Sequence, residues 1–318
     1  MGFYPVLLPL SVAAWLTADA AQPAPALPEQ GQIALREHTE RLTVPVSIAG
    51  AGPYRFIIDT GAQRTVISRQ LAQTLGLSRG GDVTVVAMSG ISRVGTVIIP
   101  SLRLSSVPEI GRIVAPALDA GDLGALGLLG IDTLQEHKVT IDLEAQTMAV
   151  SPSVRRTGRQ RRDPGEIVVR ARSVFGQLIV TDAQVDGKSV RVVIDTGSPV
   201  SVGNHALLRL VSRRGAKLEP LEMTSATGGT IVTRFTHANR MRVGGVEFSA
   251  MPIAFADVAP FERFGLEKKP AMLLGMNALK FFRRVEIDFP NREVRFQLPR
   301  RDKMTYDCAL AIQRHCAQ

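Results

Sequence analysis

The sequence predicts an all-β protein made of two similar lobes in tandem, with few short helices. Two observations carry this prediction. Short segments rich in Val and Ile are separated by Gly, Asn or Pro, which is typical of strands joined by turns. The chain also aligns with itself over an internal repeat that is too long for a solenoid unit, and this indicates two lobes, one after the other.

Strand-like segments occur in both halves of the chain, at 42–48, 55–58, 94–99, 139–143, 177–185, 190–194 and 293–298. Helix is the minority state. Ser68 is a good N-cap, Leu71 and Leu75 are spaced to share one helix face, and Gly76 follows as a terminator. A second short helix is expected from residue 204 to about residue 211.

The repeat is gapless where it is longest: residues 41–66 align with 177–202 at an offset of 136. Two further blocks recur in the same order, because 127–134 corresponds to 272–279 and 139–150 to 285–296. We therefore expect an N-terminal lobe at 41–151 and a C-terminal lobe at 167–299.

The segments outside the lobes have distinct compositions. An apolar run at 6–16 is followed by Ala18, Asp19 and Ala20, so we expect a signal peptide at 1–21 and export, most simply to a bacterial periplasm. As a helix, this run would span only about 16 Å, too short for a permanent membrane helix. Because no basic residue precedes it, the alternatives are a misassigned start codon and an unprocessed apolar tail.

Three polar segments complete the chain: a Pro-rich spacer at 22–40, an Arg-rich linker at 152–166 and a tail at 300–318. The arginines of the linker either stay hydrated or contact an anionic membrane surface. The tail holds both cysteines, Cys308 and Cys316. A straight helix would separate them by about 12 Å, beyond the roughly 7 Å of a disulfide, so pairing needs a turn and stays open.

Composition excludes several classes of function. Of the 318 residues, 45% are hydrophobic and 21% are charged, so the chain is not disordered. The net charge of +9 suits an anionic partner without identifying one, and no finger, RNP-like or helix-turn-helix pattern predicts nucleic-acid binding. The five histidines lack metal-ligand spacing, and dinucleotide, P-loop and Gly-x-Ser-x-Gly motifs are absent. We expect neither a metal nor a cofactor.

Each copy of the repeat centres on an apolar strand that ends in Asp-Thr-Gly, which gives the triplets Asp59-Thr60-Gly61 and Asp195-Thr196-Gly197. One such triplet would fit an ordinary turn. Two carboxylates brought together share one proton, so the pair holds an acid and a base at once and can activate water against a carbonyl. The glycines allow a sharp turn beside the carboxylates, and the threonines are placed to hydrogen-bond across the lobe junction.

A Leu-Leu-Gly follows each triplet, with its glycine 71 or 80 residues after the aspartate. Together, the motifs resemble the retropepsin-like and pepsin-like aspartic peptidases, which combine hydrophobic-hydrophobic-Asp-Thr-Gly-Ala/Ser with a later hydrophobic-hydrophobic-Gly. The residues that match the ends of these motifs are Ala62, Ser198, Leu129, Gly130, Leu274 and Gly275. In that family the later motif packs beneath the catalytic loop.

The resemblance implies two retropepsin-like β-barrel lobes that form a pepsin-like pseudo-dimer around a central cleft. It also implies an aspartic endopeptidase that uses Asp59 and Asp195, takes an extended polypeptide substrate and needs no second copy. The chain is similar to bacterial periplasmic peptidases of the PerP type, which points to regulatory proteolysis of a cell-envelope protein. The alternative is a catalytically silent peptide-binding or regulatory module, and the two intact motifs argue against it.

Family members cover the substrate with a β-hairpin flap. The Gly-containing stretches at a similar distance after each triplet include Ser89 and Gly90 in the first lobe, and Gly228 and Gly229 in the second. Each is a candidate flap or an ordinary hairpin. We also expect the Ser198 hydroxyl to favour the ionised carboxylate of its loop, which Ala62 cannot do. With export, this asymmetry predicts activity between mildly acidic and neutral pH.

Overall fold

Strands dominate both halves of the chain. A computed structural model describes residues 32–34, 36–38, 41–104, 107–155, 166–211 and 218–299. Within these ranges the chain forms 24 strands and six short helices, divided equally between two lobes. The all-β prediction is confirmed.

The N-terminal lobe contains twelve strands and three helices. They are β1 (Gln32–Ala34), β2 (Arg36–His38), β3 (Arg41–Ile48), β4 (Ala51–Ile58), β5 (Val66–Ser68), α1 (Arg69–Thr74), β6 (Arg79–Ala87), β7 (Gly90–Ile99), β8 (Leu102–Arg103), β9 (Ile113–Leu118), α2 (Ala120–Leu123), β10 (Gly127–Leu129), α3 (Ile131–Leu134), β11 (His137–Asp142) and β12 (Thr147–Pro152).

The C-terminal lobe repeats this composition. Its elements are β13 (Glu166–Val174), β14 (Gln177–Val180), β15 (Ala183–Val185), β16 (Lys188–Ser189), β17 (Arg191–Ile194), β18 (Val202–Gly203), α4 (His205–Val211), β19 (Glu219–Thr224), β20 (Thr230–Val243), β21 (Val246–Phe255), α5 (Ala259–Arg263), β22 (Ala271–Leu274), α6 (Met276–Leu279), β23 (Arg284–Asp288) and β24 (Glu293–Gln297).

The same parallel strand pair lies at the centre of each lobe. β4 pairs with β10, so that Ile58 lies beside Leu129, and β17 pairs with β22, so that Ile194 lies beside Leu274. Each pair brings the apolar strand that precedes an Asp-Thr-Gly loop next to a Leu-Leu-Gly strand. Burial on both faces explains why these segments are continuously apolar rather than alternating.

The structural repeat begins upstream of the repeat found in the sequence. Arg36 pairs with Thr43 in the first lobe, and Arg172 pairs with Ile179 in the second, so both partners are displaced by 136 residues. The first strand of each lobe is also equivalent, because β1 pairs with β12 as β13 pairs with β24. The segment expected to be a spacer at 22–40 therefore contains two strands, and that boundary is corrected.

A shared sheet joins the lobes. It begins with the order β1-β12-β11-β23-β24-β13 and continues into the C-terminal lobe as a 15-stranded sheet, and the lobes meet where β11 runs antiparallel to β23. Among the described residues, three ion pairs cross this seam: Arg284 lies 2.8 Å from Asp142, Lys138 lies 3.4 Å from Glu286, and Arg283 lies 4.0 Å from Glu144. The largest cluster of buried hydrophobic residues contains members of both lobes, so the two halves share one core.

Local signals explain the first helix. The Ser68 side chain accepts a hydrogen bond from the Leu71 N–H at 3.1 Å, and Gly76 has φ of 60°, a left-handed conformation that favours glycine. The helix predicted at 204–211 is present as α4. The single strand expected at 177–185 is instead two strands, β14 and β15, which pair with different neighbours.

Several sequence-based expectations lie outside the described residues. They are the signal peptide at 1–21, most of the Arg-rich linker and the tail with both cysteines. No helix in the described ranges is long and apolar enough to cross a bilayer.

Candidate active site

Asp59 and Asp195 occupy equivalent loops that face each other at the lobe junction. Each aspartate directly follows its central strand and is anchored by the neighbouring Leu-Leu-Gly strand. The Asp59 N–H donates to the Leu129 carbonyl at 3.0 Å, and the Asp195 N–H donates to the Leu274 carbonyl at 3.0 Å. Each leucine therefore binds the backbone of the aspartate in its own lobe.

The glycines of both triplets bring the two loops into contact. A Cβ on Gly61 would lie 2.8 Å from Cγ of Asp195, and a Cβ on Gly197 would overlap the carboxyl group of Asp59. Each glycine thus lies against the carboxylate of the opposite lobe. Only a residue without a side chain fits between the two loops.

Backbone N–H groups hold each carboxylate from its own loop. Oδ1 of Asp59 accepts from Gly61 and Ala62, both at 2.9 Å. Oδ1 of Asp195 accepts from Gly197 at 3.0 Å and from Ser198 at 3.2 Å. These bonds fix one oxygen of each group and leave Oδ2 free of the two loop amides.

The two threonines connect the lobes below the carboxylates. The Thr60 hydroxyl donates to the Ile194 carbonyl at 2.9 Å, and the Thr196 hydroxyl donates to the Ile58 carbonyl at 2.7 Å. Each threonine N–H in turn donates to the other hydroxyl at 3.1 Å. Both side chains are buried, so this crossed set of bonds fixes the distance between the two aspartates.

The glycines of the later motifs let the catalytic-loop backbone pass close by. A Cβ on Gly130 would overlap the backbone of Arg64, and one on Gly275 would overlap the backbone of Val200. The next helix of each lobe caps the loop, since Ile131 N–H donates to Ala62 O and Met276 N–H to Ser198 O.

One expectation about the loop is wrong. The Ser198 hydroxyl donates to the Val200 carbonyl at 2.7 Å rather than to a carboxylate, because the turn brings that carbonyl within reach. Only the backbone of Ser198 contacts Asp195, just as the backbone of Ala62 contacts Asp59. The Ser/Ala difference therefore does not make the site asymmetric.

Burial dominates the electrostatics of the pair. It raises the pKa of Asp195 to about 7, with a further contribution from the neighbouring Asp59. Burial likewise raises the pKa of Asp59, against the lowering effects of the Ala62 and Gly61 N–H bonds and the charge of Arg41. Two carboxylates in this relation titrate as a pair and retain one proton across the mildly acidic range.

Arg41 and Gln177 are site residues that sequence reasoning did not identify. Arg41 is partly buried and its charge acts on both aspartates. Gln177 is buried, and its Nε2 donates to the carbonyl of Gly61 at 3.0 Å. The signal was present in the repeat, because these residues are the first aligned pair, 136 positions apart. An Arg aligned with a Gln is the real asymmetry of the site.

A β-hairpin occupies each candidate flap position. The first is β6–β7, with Met88 and Ser89 at its tip, and the second is β19–β20, with residues 225–229 at its tip. The two tips meet: Ser89 N–H donates to the Ser225 hydroxyl at 3.3 Å, and the Ser89 hydroxyl donates to Gly228 O at 3.2 Å.

Each hairpin tip also reaches the opposite lobe. Met88 packs against an apolar cluster of the C-terminal lobe that includes Val193 and Leu273. Ala226 packs against a cluster of the N-terminal lobe that includes Ile57 and Leu123. Among the described residues, no group of three or more His, Cys, Asp or Glu side chains is arranged to hold a metal. The site thus consists of paired carboxylates with Arg41 and Gln177 beside them, between two apolar clusters.

Two β lobes that each contribute an Asp-Thr-Gly loop define the aspartic peptidase class. Comparison with known families agrees lobe by lobe: residues 44–136 match the gag-polyprotein aspartyl protease family, and residues 181–278 match a family described as aspartyl protease. The chain belongs to the retropepsin-like aspartic peptidases and carries two such domains in tandem.

A curated relative supports this assignment. The chain is similar to Protein DNA-DAMAGE INDUCIBLE 1 of Arabidopsis thaliana, with 29% identity over 153 residues. The match covers 45% of this chain and 36% of that protein, so the chain spans about a third of its relative's length.

Proposed function

We propose that the chain is an aspartic endopeptidase that hydrolyses peptide bonds in extended polypeptide segments. The observation that carries this proposal is the crossed Thr60–Thr196 arrangement, which holds Asp59 and Asp195 at equivalent positions of one site. Each aspartate has one oxygen bound by backbone N–H groups, and the pair retains one proton.

The pair supplies an acid and a base for the same reaction. The ionised carboxylate takes a proton from a water molecule as that water attacks the scissile carbonyl carbon. The protonated carboxyl group donates its proton to the carbonyl oxygen as negative charge develops there. Collapse of the tetrahedral intermediate then releases the amine, which takes a proton from the pair.

The hairpins favour an extended substrate. A segment that lies between the two lobes and under the two hairpin tips presents its backbone to strand edges, where main-chain hydrogen bonds give sequence-tolerant affinity. The apolar clusters on which Met88 and Ala226 pack would supply pockets for alternate side chains. Because one chain supplies both aspartates, we propose that a monomer is active.

The test is cleavage of a peptide library and of a denatured protein across pH 3 to 9. The wild-type chain is compared with Asp59→Asn and Asp195→Asn. We expect the cleavage rate of each variant to fall by at least about a thousandfold, because either change leaves one carboxyl group where the reaction needs both an acid and a base. Activity should decline above about pH 7, where the shared proton is lost.

Folding of both variants is checked by circular dichroism, so that loss of activity is not loss of structure. A folded, inactive wild-type chain would favour a silent peptide-binding module on the same fold. Full activity in either variant would show that the two aspartates do not act as one pair.

We also propose that the protein is exported and acts on a cell-envelope protein. The support is the apolar run at 6–16 with its small residues, and the Arg-rich linker offers a contact for anionic lipid. Fractionation of a bacterial host that expresses the full chain tests this proposal. Recovery from the cytoplasm with the apolar run still attached would contradict it.

A further inference from the structure

Arg41 and Gln177 lie opposite the two aspartates in the strand ladders. Thr43 pairs with Ile57 in the first lobe, and a further step of two residues on each strand sets Arg41 opposite Asp59. Ile179 pairs with Val193 in the second lobe, and the same step sets Gln177 opposite Asp195. Directly opposed residues on antiparallel strands have adjacent side chains on one face.

The two side chains differ in burial and in the number of N–H donors that they offer. Gln177 is 2% exposed, and its amide supports the Gly61 carbonyl. Arg41 is only partly buried, and among the described residues its guanidinium makes one hydrogen bond, from Nη2 to the Leu123 carbonyl at 2.6 Å. A guanidinium carries five N–H donors. Most donors of Arg41 therefore remain for another partner.

Neither aspartate uses this cation as a direct partner. No carboxylate of the described residues forms an ion pair with Arg41 within 4.0 Å, although Asp59 and Asp195 both act on it through their charge. Burial lowers the pKa of Arg41 without removing its charge at any physiological pH. The site thus holds a cation that is close to its reacting groups but forms no direct ion pair with a carboxylate of the described residues.

The Arg41 guanidinium also lies next to the apolar cluster that the opposite hairpin covers. Leu123, whose carbonyl Arg41 binds, belongs to the apolar cluster of the N-terminal lobe on which Ala226 of the opposite hairpin packs. The equivalent wall of the C-terminal lobe has the neutral Gln177 in place of a cation. We therefore expect any charge preference that Arg41 confers to be confined to one side of the scissile bond.

We propose that Arg41 binds an acidic side chain of the substrate and so makes this peptidase prefer Glu or Asp on one side of the bond that it cleaves. The inference rests on the proposed endopeptidase function. A pair of aspartates with one shared proton carries a negative charge, which would repel an acidic substrate side chain. The Arg41 guanidinium offsets that repulsion and offers the planar pair of N–H donors that a carboxylate binds best.

The test uses peptides that differ only by Glu or Gln at each of the positions flanking the cleaved bond. We expect the wild-type chain to favour Glu at one position by roughly tenfold or more in kcat/KM. Arg41→Gln gives the N-terminal lobe the same side chain that Gln177 provides in the C-terminal lobe. It should bring the ratio of kcat/KM for the Glu and Gln peptides to about one. Arg41→Lys, which keeps the charge without the planar fork, should retain an intermediate ratio.

Arg55→Gln is the matched control, because it removes an exposed arginine from the neighbouring strand and should keep the wild-type ratio. Each variant is assayed at its own pH optimum, since loss of the Arg41 charge also moves the titration of the pair. A wild-type chain without Glu preference at any position would overturn the inference. The inference would also be overturned if Arg41→Gln lowered kcat/KM for the Glu and Gln peptides by the same factor.

A binding measurement separates this inference from the proposed function. The same peptides, carrying a fluorophore, are titrated by anisotropy against Asp195→Asn with and without Arg41→Gln. If the wild-type chain does not cleave, the proposed function fails, but tighter binding of the Glu peptide that depends on Arg41 still supports the inference. Equal binding of both peptides contradicts it, whether or not cleavage occurs.

Discussion

At the scale of single residues, the two halves of the site have the same geometry and different electrostatics. The loop hydrogen bonds of Asp59 and Asp195 agree to within a few tenths of an ångström. The difference lies one strand away, where Arg41 opposes one aspartate and Gln177 the other. An exact two-fold site needs identical chains, whereas a fused pair is free to change one copy.

The raised pKa of Asp195 predicts how stability depends on pH. The folded chain keeps a proton on this group up to about pH 7, while the unfolded chain loses it near the ordinary value of 3.8. The folded state therefore binds more protons between these values, and its stability falls as pH rises through that window. Asp195→Asn removes the titrating group and keeps an acceptor for the Gly197 and Ser198 N–H groups.

We therefore expect Asp195→Asn to melt at a higher temperature than the wild type at pH 8, with a smaller difference at pH 4. Thermal unfolding followed by circular dichroism at both pH values measures this. Asp182→Asn, which changes an exposed aspartate, should show no such pH-dependent gain. An equal difference between Asp195→Asn and wild type at both pH values would contradict the assignment.

At the scale of elements, the two hairpins close the site by contacts with each other and with the opposite lobe. The tip of the first depends on Gly90, whose φ of 125° is a conformation that residues with a side chain rarely adopt. A Cβ on Gly90 would meet no atom within 4 Å. Any effect of a substitution there therefore comes from backbone strain and not from a steric clash.

Gly90→Ala should therefore strain the tip by about 1–3 kcal/mol and displace Ser89 from its partners on the second hairpin. We expect kcat/KM to fall by roughly tenfold, because the hairpin then closes less well over the substrate. Steady-state cleavage of the library peptide measures this.

Gly95→Ala is the matched control on the same strand. Gly95 has no left-handed φ, and its added Cβ would lie 3.9 Å from the nearest atom, Oδ1 of Asp82. Its kcat/KM should stay within about twofold of wild type. If both alanine variants lose activity alike, the tip conformation of Gly90 is not what matters.

At the scale of the whole molecule, the shared sheet keeps the lobes at the distance that the site needs. Arg295 of β24 lies in this sheet, is 6% exposed and contacts three carboxylates. They belong to Glu166 at 3.0 Å, Glu286 at 3.5 Å and Glu293 at 3.0 Å. Glu286 in turn pairs with Lys138 of the other lobe, so the network spans the junction.

Replacing Arg295 by Leu should be costly, because it removes the cation that these partly buried carboxylates share. We expect the free energy of unfolding to fall by about 3–5 kcal/mol, measured by urea denaturation. Arg170→Leu, at an exposed arginine 4.0 Å from Glu293, should change little. Similar losses in both variants would show that the network is no more than a surface feature.

Much of the fold and the aspartate pair followed from local sequence patterns. Turn residues between β-branched runs predicted the strands, and Ser68 with Gly76 predicted the first helix. The 136-residue offset predicted two equivalent loops. These features depend on residues that are neighbours in the sequence or on the similarity of the two repeats, so they can be predicted without a structure.

What the sequence by itself determined is the set of paired motifs: two Asp-Thr-Gly loops, each with its Leu-Leu-Gly strand. Only the tertiary structure decided that the threonines cross, that the hairpin tips meet and that Ser198 turns away from its aspartate. It also placed β1 in the shared sheet and Arg41 beside the pair. Each of these depends on which distant segments pack together, and that choice is made by strand register and burial across the whole chain rather than by any local pattern.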